Sequence, residues 1–217
     1  MIAYMTASRL IIQDAESFAE VELARTPFRI FTALFYWLVI KDVLAGPISR
    51  PGTLSETWHV RILFLLLASY PFGPDPQYSP YDAVILAVTS IPVGFAEELF
   101  FRGIVQNLCV KRWGRFAGLM IATTLFTAYH AGVIDNDPLN YVSIFLAGLA
   151  LGAIYLKSGS LTVVIIIHAA IYTSYSLPHI FGDIDLMWRV AMEFAAAWVA
   201  LHWLLRKTGS IPGINGA

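Results

Sequence analysis

The sequence predicts an all-α fold, a polytopic membrane helix bundle with about seven transmembrane helices. Hydrophobic residues make up 58% of the 217 residues and charged residues only 13%, whereas soluble proteins average about 45–50% and about 25%. No long linker or composition shift interrupts the chain, so we expect residues 1–217 to form a single integral membrane domain. The apolar segments, which are long enough or nearly long enough to span a bilayer, run over 27–45, 60–73, 81–110, 116–134, 139–157, 159–178 and 186–205.

Most segments have a feature that indicates their role. Residues 1–26 mix charged and apolar side chains, which predicts an amphipathic N-terminal segment at the membrane surface. The second segment is short and contains Pro71, so a tilted or re-entrant helix is the alternative there. The third carries a cluster of three charges in its interior, and the fourth and sixth carry one histidine each. The fifth has Gly148 and Gly152 at a spacing that favours close helix packing.

Lys and Arg residues are distributed unevenly among the connecting stretches. The stretches 72–82, 134–138 and 179–185 carry acids and no Lys or Arg. The basic residues after the third, fifth and seventh segments are Lys111, Arg112, Arg115, Lys157, Arg206 and Lys207. The positive-inside rule therefore predicts that this basic group is cytoplasmic. Basic residues flank the first segment on both sides, which leaves its orientation open.

Three charged side chains, Glu97, Glu98 and Arg102, lie inside the third apolar segment. An ionisable group near the bilayer centre costs about 2.5–3.5 kcal/mol, so we expect such a cluster to be functional. Glu98 and Arg102 are four residues apart with the acid first, which favours an ion pair on one helix face. Glu97 lies about 100° further round the helix and is left free for chemistry. A structural salt bridge with a spare acid is the alternative.

His130 and His168 lie at depths similar to that of Glu97. Counted along each helix from Lys111, Arg115 and Lys157 respectively, Glu97, His130 and His168 are about 21, 22 and 16 Å from the cytoplasmic side. We therefore expect the three side chains to converge in one polar cavity that opens toward the cytoplasmic half. For His130 alone, a hydrogen bond to a neighbouring backbone carbonyl is the structural alternative.

A carboxylate and two imidazoles are sufficient to activate water for hydrolysis. Desolvation makes a carboxylate a stronger base, and a neighbouring imidazole shares the proton or orients the water. A second histidine stabilises the oxyanion that forms when water attacks a peptide carbonyl. The single Cys109 has no activating partner, and no serine–histidine pairing or His-Glu-x-x-His motif is present.

We predict no cofactor and no metal at this site. Zinc held by Glu97, His130 and His168 is the chemical alternative, because one carboxylate and two imidazoles form a catalytic zinc set. Zinc-bound histidines are ordinarily oriented by further carboxylates or carbonyls. The sequence places no acid other than Glu98 near the two histidines, and we expect Glu98 to be paired with Arg102.

Four short motifs follow one another between residues 81 and 175. They are Glu-Glu-x-x-x-Arg at 97–102, Phe-x-x-x-His at 126–130, Phe-x-x-Gly-x-x-x-Gly with a Ser-Gly-Ser-Leu turn at 145–161, and the histidine at 168. In this order they form a signature core that resembles the CAAX protease and bacteriocin-processing family. These are glutamic-type intramembrane endopeptidases similar to the prenyl-protein protease Rce1. The resemblance implies that Glu97 and His130 activate the water and that His168 contributes to the oxyanion site.

The resemblance also implies which residues support the site. They are Glu98, Arg102, Phe126 and Tyr172. Tyr172 is a departure, because the family has Asn or Asp four residues after its last histidine. A phenol also donates a hydrogen bond, but from farther out, so we expect a changed oxyanion geometry and a specialised substrate.

The family resemblance implies cleavage near the C-terminus of a membrane-associated protein. The partners are then the lipid bilayer and a membrane-anchored substrate with a C-terminal tail, either prenylated or exported and sorted. The location is the cell's inner membrane if the protein is bacterial. A net charge of −1 without a basic run excludes nucleic acid. The alternatives are an inactive family member acting as a scaffold or immunity factor, and a proton-coupled carrier with an intramembrane relay.

Overall fold

Seven helices make up the described part of this computed structural model, which comprises residues 18–40, 57–69, 79–131, 137–176 and 186–205. These ranges contain helices and no strands, so the all-α prediction is confirmed for them. The helices are α1 (Phe18–Ile40), α2 (Thr57–Ser69), α3 (Pro80–Trp113), α4 (Arg115–Tyr129), α5 (Pro138–Ser158), α6 (Leu161–Ser176) and α7 (Leu186–Leu205).

Two of these helices, α3 and α5, are long and apolar enough to cross a membrane by length and composition. The number of seven transmembrane helices therefore stays a prediction. The amphipathic segment expected at 1–26 lies outside the described residues as far as residue 17. From Phe18 onward the chain is helical, so α1 begins before the apolar segment predicted at 27–45.

Local sequence signals determine where α3 and α5 begin. The Ser79 hydroxyl accepts from the Asp82 N–H at 3.1 Å, while the Asp82 carboxylate accepts from the Ser79 N–H at 3.3 Å. This reciprocal pair is a capping box. At α5 the Asp137 carboxylate accepts from a backbone N–H two residues further on, at 2.9 Å. Pro80 and Pro138 follow at the first helical turn, where a missing N–H costs no bond.

Helix α4 ends at Tyr129, before the predicted limit of residue 134. The backbone N–H of His130 bonds the Thr127 carbonyl, three residues back, at 3.1 Å. The Phe126 carbonyl, which a continuing α-helix would use, instead pairs with the His130 ring Nδ1 at 2.9 Å. The side chain of His130 thus replaces a backbone bond, and the helix ends at a candidate site residue.

The middle of α3 is π-helical, whereas the sequence predicts one uninterrupted α-helix. An α-helical part, Pro80–Glu98, leads into the π-helical segment Leu99–Gln106, which is followed by a short α-helical part, Asn107–Trp113. A π-helix has i→i+5 hydrogen bonds and occurs frequently at functional sites. Here it begins directly after the two adjacent acids.

Contacts near the helix ends show that α3 to α5 and α7 share one end of the bundle. The Arg115 guanidinium, at the start of α4, donates to the Leu156 carbonyl near the end of α5 at 3.1 Å. Lys157 lies 5.8 Å from the Trp203 ring near the end of α7. We call this the basic end, and Lys111, Arg112 and Arg115 are exposed basic residues there.

The opposite end, called the acidic end, contains the capping acids of α3 and α5. Helix α1 runs parallel to α3, because contacts occur in the same order along both helices. Ala19 packs with Leu86, and the Tyr36 ring lies 5.2 Å from the Phe100 ring between centroids. The start of α1 therefore lies at the acidic end, an orientation that the sequence leaves open.

Glycines allow close approach of α3, α4 and α5. An added Cβ at Gly118 would lie 2.5 Å from the backbone nitrogen of Val110, and one at Gly152 would lie 2.5 Å from a side-chain methyl of α4. At Gly148 the nearest atom is a Phe126 ring carbon at 3.0 Å. Small residues thus set the helix separation, in line with their spacing on α5.

Replacement of Gly118 by alanine should destabilise the protein by about 1–3 kcal/mol, because the new methyl group meets backbone atoms that cannot rotate away. Thermal unfolding of the detergent-purified variant measures the effect. Gly148→Ala is the matched control, since its methyl group meets only a ring that can move. Equal unfolding temperatures for the two variants would contradict the close backbone contact.

Candidate active site

The carboxylate of Glu98 is the most enclosed charge of the site. Its Oε2 accepts from Arg102 Nε at 3.0 Å, and both side chains are 0% exposed. The pair that the spacing predicts is therefore formed. The Arg102 guanidinium also lies 5.0 Å from the centroid of the Phe126 ring, a cation–π contact with α4.

The second oxygen of Glu98 holds His168 on α6. Its Oε1 accepts from the His168 Nδ1 at 2.7 Å. Helices α3 and α6 are antiparallel and close at this point: the Ser90 and Thr173 hydroxyls are 2.7 Å apart, and a Cβ at Gly94 would lie 3.2 Å from a backbone nitrogen of α6. The sequence predicts the first partner of Glu98 but not this second one.

His130 is oriented from its own helix. Its Nδ1 lies 2.9 Å from the Phe126 carbonyl, and because a carbonyl only accepts, this nitrogen carries the proton. The Phe126 ring meets both imidazoles edge-on, with centroids 4.7 Å from His130 and 6.2 Å from His168. Phe126 thus occupies the position expected of a supporting residue.

Glu97 faces both imidazoles. Its Oε2 lies 3.8 Å from His130 Nε2 and 3.8 Å from His168 Nε2. Both distances exceed the usual hydrogen-bond limit of about 3.2 Å, and separations of this kind are commonly bridged by water. Because the His130 Nδ1 donates to a carbonyl, the neutral His130 ring presents Nε2 as an acceptor. The His168 Nδ1 donates to a carboxylate, so its Nε2 accepts when the ring is neutral and donates when the ring is protonated. Glu97 Oε2 and His130 Nε2 thus form an acceptor pair that suits a hydrogen-bond donor such as water.

The same geometry bears on the predicted absence of a metal. One premise of that prediction is wrong, because Glu98 and the Phe126 carbonyl do orient the two histidines. The separations of 3.8 Å nevertheless exceed the about 3.3–3.6 Å between ligands bound at about 2.0–2.2 Å to tetrahedral zinc. Among the described residues, no group of three His, Cys, Asp or Glu is arranged to hold a metal ion. Metal independence stays a prediction.

Tyr172 is held by a residue of α1 that the motifs do not include. Its hydroxyl hydrogen-bonds the carboxylate of Glu22, which is 1% exposed. Glu22 also accepts from Arg25 at 3.1 Å and pairs with Arg29. The sequence places Glu22 in a surface segment, but its spacing of three and seven residues from the two arginines is a signal for one shared helix face.

The pairing with Glu22 changes the role expected for Tyr172. A carboxylate only accepts, so the phenol proton is directed to Glu22 rather than to an oxyanion site. The tyrosine thereby joins α6 to α1, one turn away from His168. This explains how a phenol is accommodated where the resembling family has Asn or Asp.

These observations define a helical protein with a carboxylate and two imidazoles enclosed between α3, α4 and α6. Residues 79–174 match the family model described as type II CAAX prenyl endopeptidase Rce1-like, so this segment is similar to that family. The match covers the predicted signature core, 81–175, apart from its last residue. The family consists of membrane-embedded proteases, so a peptidase activity on a protein substrate in a membrane is indicated. No curated protein and no solved structure matches the chain.

Glu98→Gln should sharply reduce the amount of folded protein in membranes. The amide leaves the Arg102 guanidinium without a counter-charge, and breaking a buried ion pair costs about 3–5 kcal/mol. Glu97→Gln is the matched control, because Glu97 makes no hydrogen bond within 3.5 Å among the described residues. Quantitative immunoblotting of membranes compares the two variants. Normal accumulation of Glu98→Gln together with complete loss of cleavage would instead make Glu98 the base.

Tyr172→Phe and Glu22→Gln should not be additive. Each substitution removes the same phenol–carboxylate bond, so a double-mutant cycle on thermal unfolding should give a coupling energy of about 0.5–3 kcal/mol. Ser174→Ala with Glu22→Gln is the control pair, since the Ser174 hydroxyl bonds only its own helix, at the Ile171 carbonyl. A coupling no larger than that of the control would contradict the contact.

Proposed function

We propose that the protein is a glutamic-type intramembrane endopeptidase that cleaves a membrane-associated protein near its C-terminus. The observation that carries the proposal is the convergence of Glu97 Oε2 with two imidazole nitrogens, each 3.8 Å away. It occurs within the segment that matches a protease family. Glu97, His130 and His168 are the proposed catalytic residues.

In the first step Glu97 acts as general base. A water between its Oε2 and His130 Nε2 donates one hydrogen bond to each acceptor, and the carboxylate removes one proton as the water attacks, while the other hydrogen stays on the water oxygen. The water oxygen bonds to the carbonyl carbon of the scissile peptide, and the carbonyl electron pair moves to its oxygen. His130 orients the water, because the Phe126 carbonyl holds the imidazole proton on Nδ1.

In the second step the intermediate collapses to products. A His168 imidazolium donates from Nε2 to the oxyanion, while the Glu98 carboxylate on Nδ1 balances its charge. The carboxylic acid of Glu97 then gives its proton to the amide nitrogen and the C–N bond breaks. The oxyanion electrons re-form the carbonyl, so one water is consumed and Glu97 is again a carboxylate.

No observation favours the two alternative functions, a proton-coupled carrier and an inactive scaffold. A proton-coupled carrier needs a relay that reaches both membrane faces, whereas Arg102 and Gln106, on one side of the site, are 0% exposed. A scaffold has no use for a carboxylate placed between two imidazoles without a direct bond to either. Hydrolysis uses every member of the cluster.

Glu97→Gln should lower cleavage by about 10²–10⁴-fold, the usual contribution of a general base, because an amide cannot take the proton of water. The measurement is cleavage of a membrane-anchored substrate by purified protein in liposomes, followed by mass spectrometry of the products. Glu20→Gln is the matched control, since Glu20 is an exposed acid on α1. Full activity of Glu97→Gln would refute the assignment.

Dialysis against a strong chelator should leave the activity of the wild-type protein unchanged. The mechanism derived above uses only a carboxylate, two imidazoles and water, and no step depends on a Lewis acid. The same liposome assay, run before and after dialysis, measures the effect. Loss of activity that added zinc alone restores would make Glu97, His130 and His168 metal ligands.

A further inference from the structure

We propose that the site is reached from the acidic end of the bundle and that this end faces away from the cytoplasm. The substrate is then the C-terminal tail of an exported membrane protein, presented on the exoplasmic side. The statement about the substrate rests on the proposed function. The statement about which membrane face the site opens to stands independently of it. It reverses the expectation of a cavity open toward the cytoplasmic half.

Toward the basic end, the site is closed by packed side chains. Glu98, Arg102 and Gln106 follow one another along α3 in this direction, and all three are 0% exposed. Gln106 Nε2 donates to the Gly152 carbonyl at 2.9 Å, so α5 lies directly against α3 there. A Cβ at Gly152 would lie 2.8 Å from the Gln106 Oε1. Backbone contact of this kind leaves no passage for a peptide.

At the level of the site, by contrast, the three side chains are partly exposed. The side chain of Glu97 is 10% exposed, that of His168 12% and that of His130 20%. His130 is the cap of α4, and the next residue, Ala131, is exposed. Because α4 stops here while α3 continues for about 17 residues, or about 26 Å, toward the acidic end, the imidazole lies at a helix end rather than in mid-helix.

Polar groups continue from the site in the same direction. Along α6, the residues that follow His168 toward the acidic end include Tyr172, Thr173 and Ser174, all partly exposed. The Thr173 hydroxyl bonds that of Ser90, one of the α3 residues on the acidic side of Glu97. An extended peptide has unpaired N–H and C=O groups, which need such hydroxyl partners within a bilayer. The basic side offers packed side chains instead.

The charges indicate which membrane face the acidic end occupies. Trp188, at the start of α7, donates to the Ala68 carbonyl near the end of α2 at 3.1 Å, so α2 begins toward the basic end. The exposed Lys and Arg of the described residues at the basic end are Arg61, Lys111, Arg112 and Arg115. The sequence stretches that join helices at the acidic end, 70–79, 131–137 and 177–185, carry acids and no Lys or Arg. The described arginines that lie in the acidic half are held by other side chains: Arg25 and Arg29 pair with Glu22, and Arg189 donates to the Asn140 side-chain oxygen at 2.6 Å. The positive-inside rule thus makes the basic end cytoplasmic and the acidic end exoplasmic.

Single-cysteine labelling tests both parts of the proposal. Cys109 is the only cysteine and is buried, so Cys109→Ala provides a background without other thiols. Ala131→Cys and Arg112→Cys are added to it separately, one beside the site and one at the basic end. Spheroplasts of a bacterial host are treated with a membrane-impermeant maleimide before and after permeabilisation. The labelled proteins are then purified and assayed for cleavage of a tailed substrate in liposomes.

The expected result is that Ala131→Cys reacts in intact spheroplasts and loses at least tenfold in cleavage on labelling. Arg112→Cys should react only after permeabilisation and should keep its activity. Reaction of Ala131→Cys only after permeabilisation, or not at all, would overturn the exoplasmic opening. Labelling of Ala131→Cys without loss of cleavage would overturn the route. If the unlabelled proteins do not cleave, the proposed function fails while the sidedness of labelling still decides the topology.

Discussion

The doubly bonded carboxylate of Glu98 is the interaction on which the rest of the site depends. Burying an ion without partners costs several kcal/mol, and the cost is offset only when its lone pairs are used. Here one oxygen accepts from Arg102 and the other from His168, and the Glu98 side chain itself is 0% exposed. Since Arg102 also lies over the Phe126 ring, this one charge connects α3 with α6 directly and with α4 through its partner.

The same carboxylate determines what the neighbouring groups can do. Its bond to the Nδ1 of His168 turns the other nitrogen of that ring toward Glu97. The Phe126 carbonyl does the same for His130. Two different acceptors, one charged and one neutral, therefore hold two imidazoles in one orientation. A carboxylate partner balances a positive charge on its ring and a carbonyl partner does not, which suits the separate proposed tasks of stabilising an oxyanion and orienting water.

Features that arise within one helix or at a fixed depth could be predicted from the sequence. The Glu98–Arg102 pair is local, and an i,i+4 spacing brings it together in any helix. The approach of Glu97, His130 and His168 followed from counting residues along rigid helices, because each residue adds a constant rise. Such counting needs no knowledge of how the helices cross.

Features that depend on helix crossings could not be predicted. The second bond of Glu98 requires the close approach at Gly94, and the burial of Glu22 requires α1 to lie parallel to α3. The π-helical segment has no residue signal of its own. The end of α4 was misplaced because a side chain, that of His130, takes a bond that belongs to the backbone in a regular helix.

Glu97 differs from every other charge of the site, because it is left out of the direct hydrogen bonds. Its neighbour Glu98 uses both oxygens, whereas Glu97 stays 3.8 Å from either imidazole. A buried carboxylate without a direct partner lowers stability, and such a cost persists only where the surrounding contacts exceed it. The Glu98 network, the close contacts at Gly118 and Gly152 and the Tyr172–Glu22 bond supply those contacts. The fold thus leaves one carboxylate without a direct hydrogen bond, as the proposed general base requires, while it satisfies the carboxylate beside it completely.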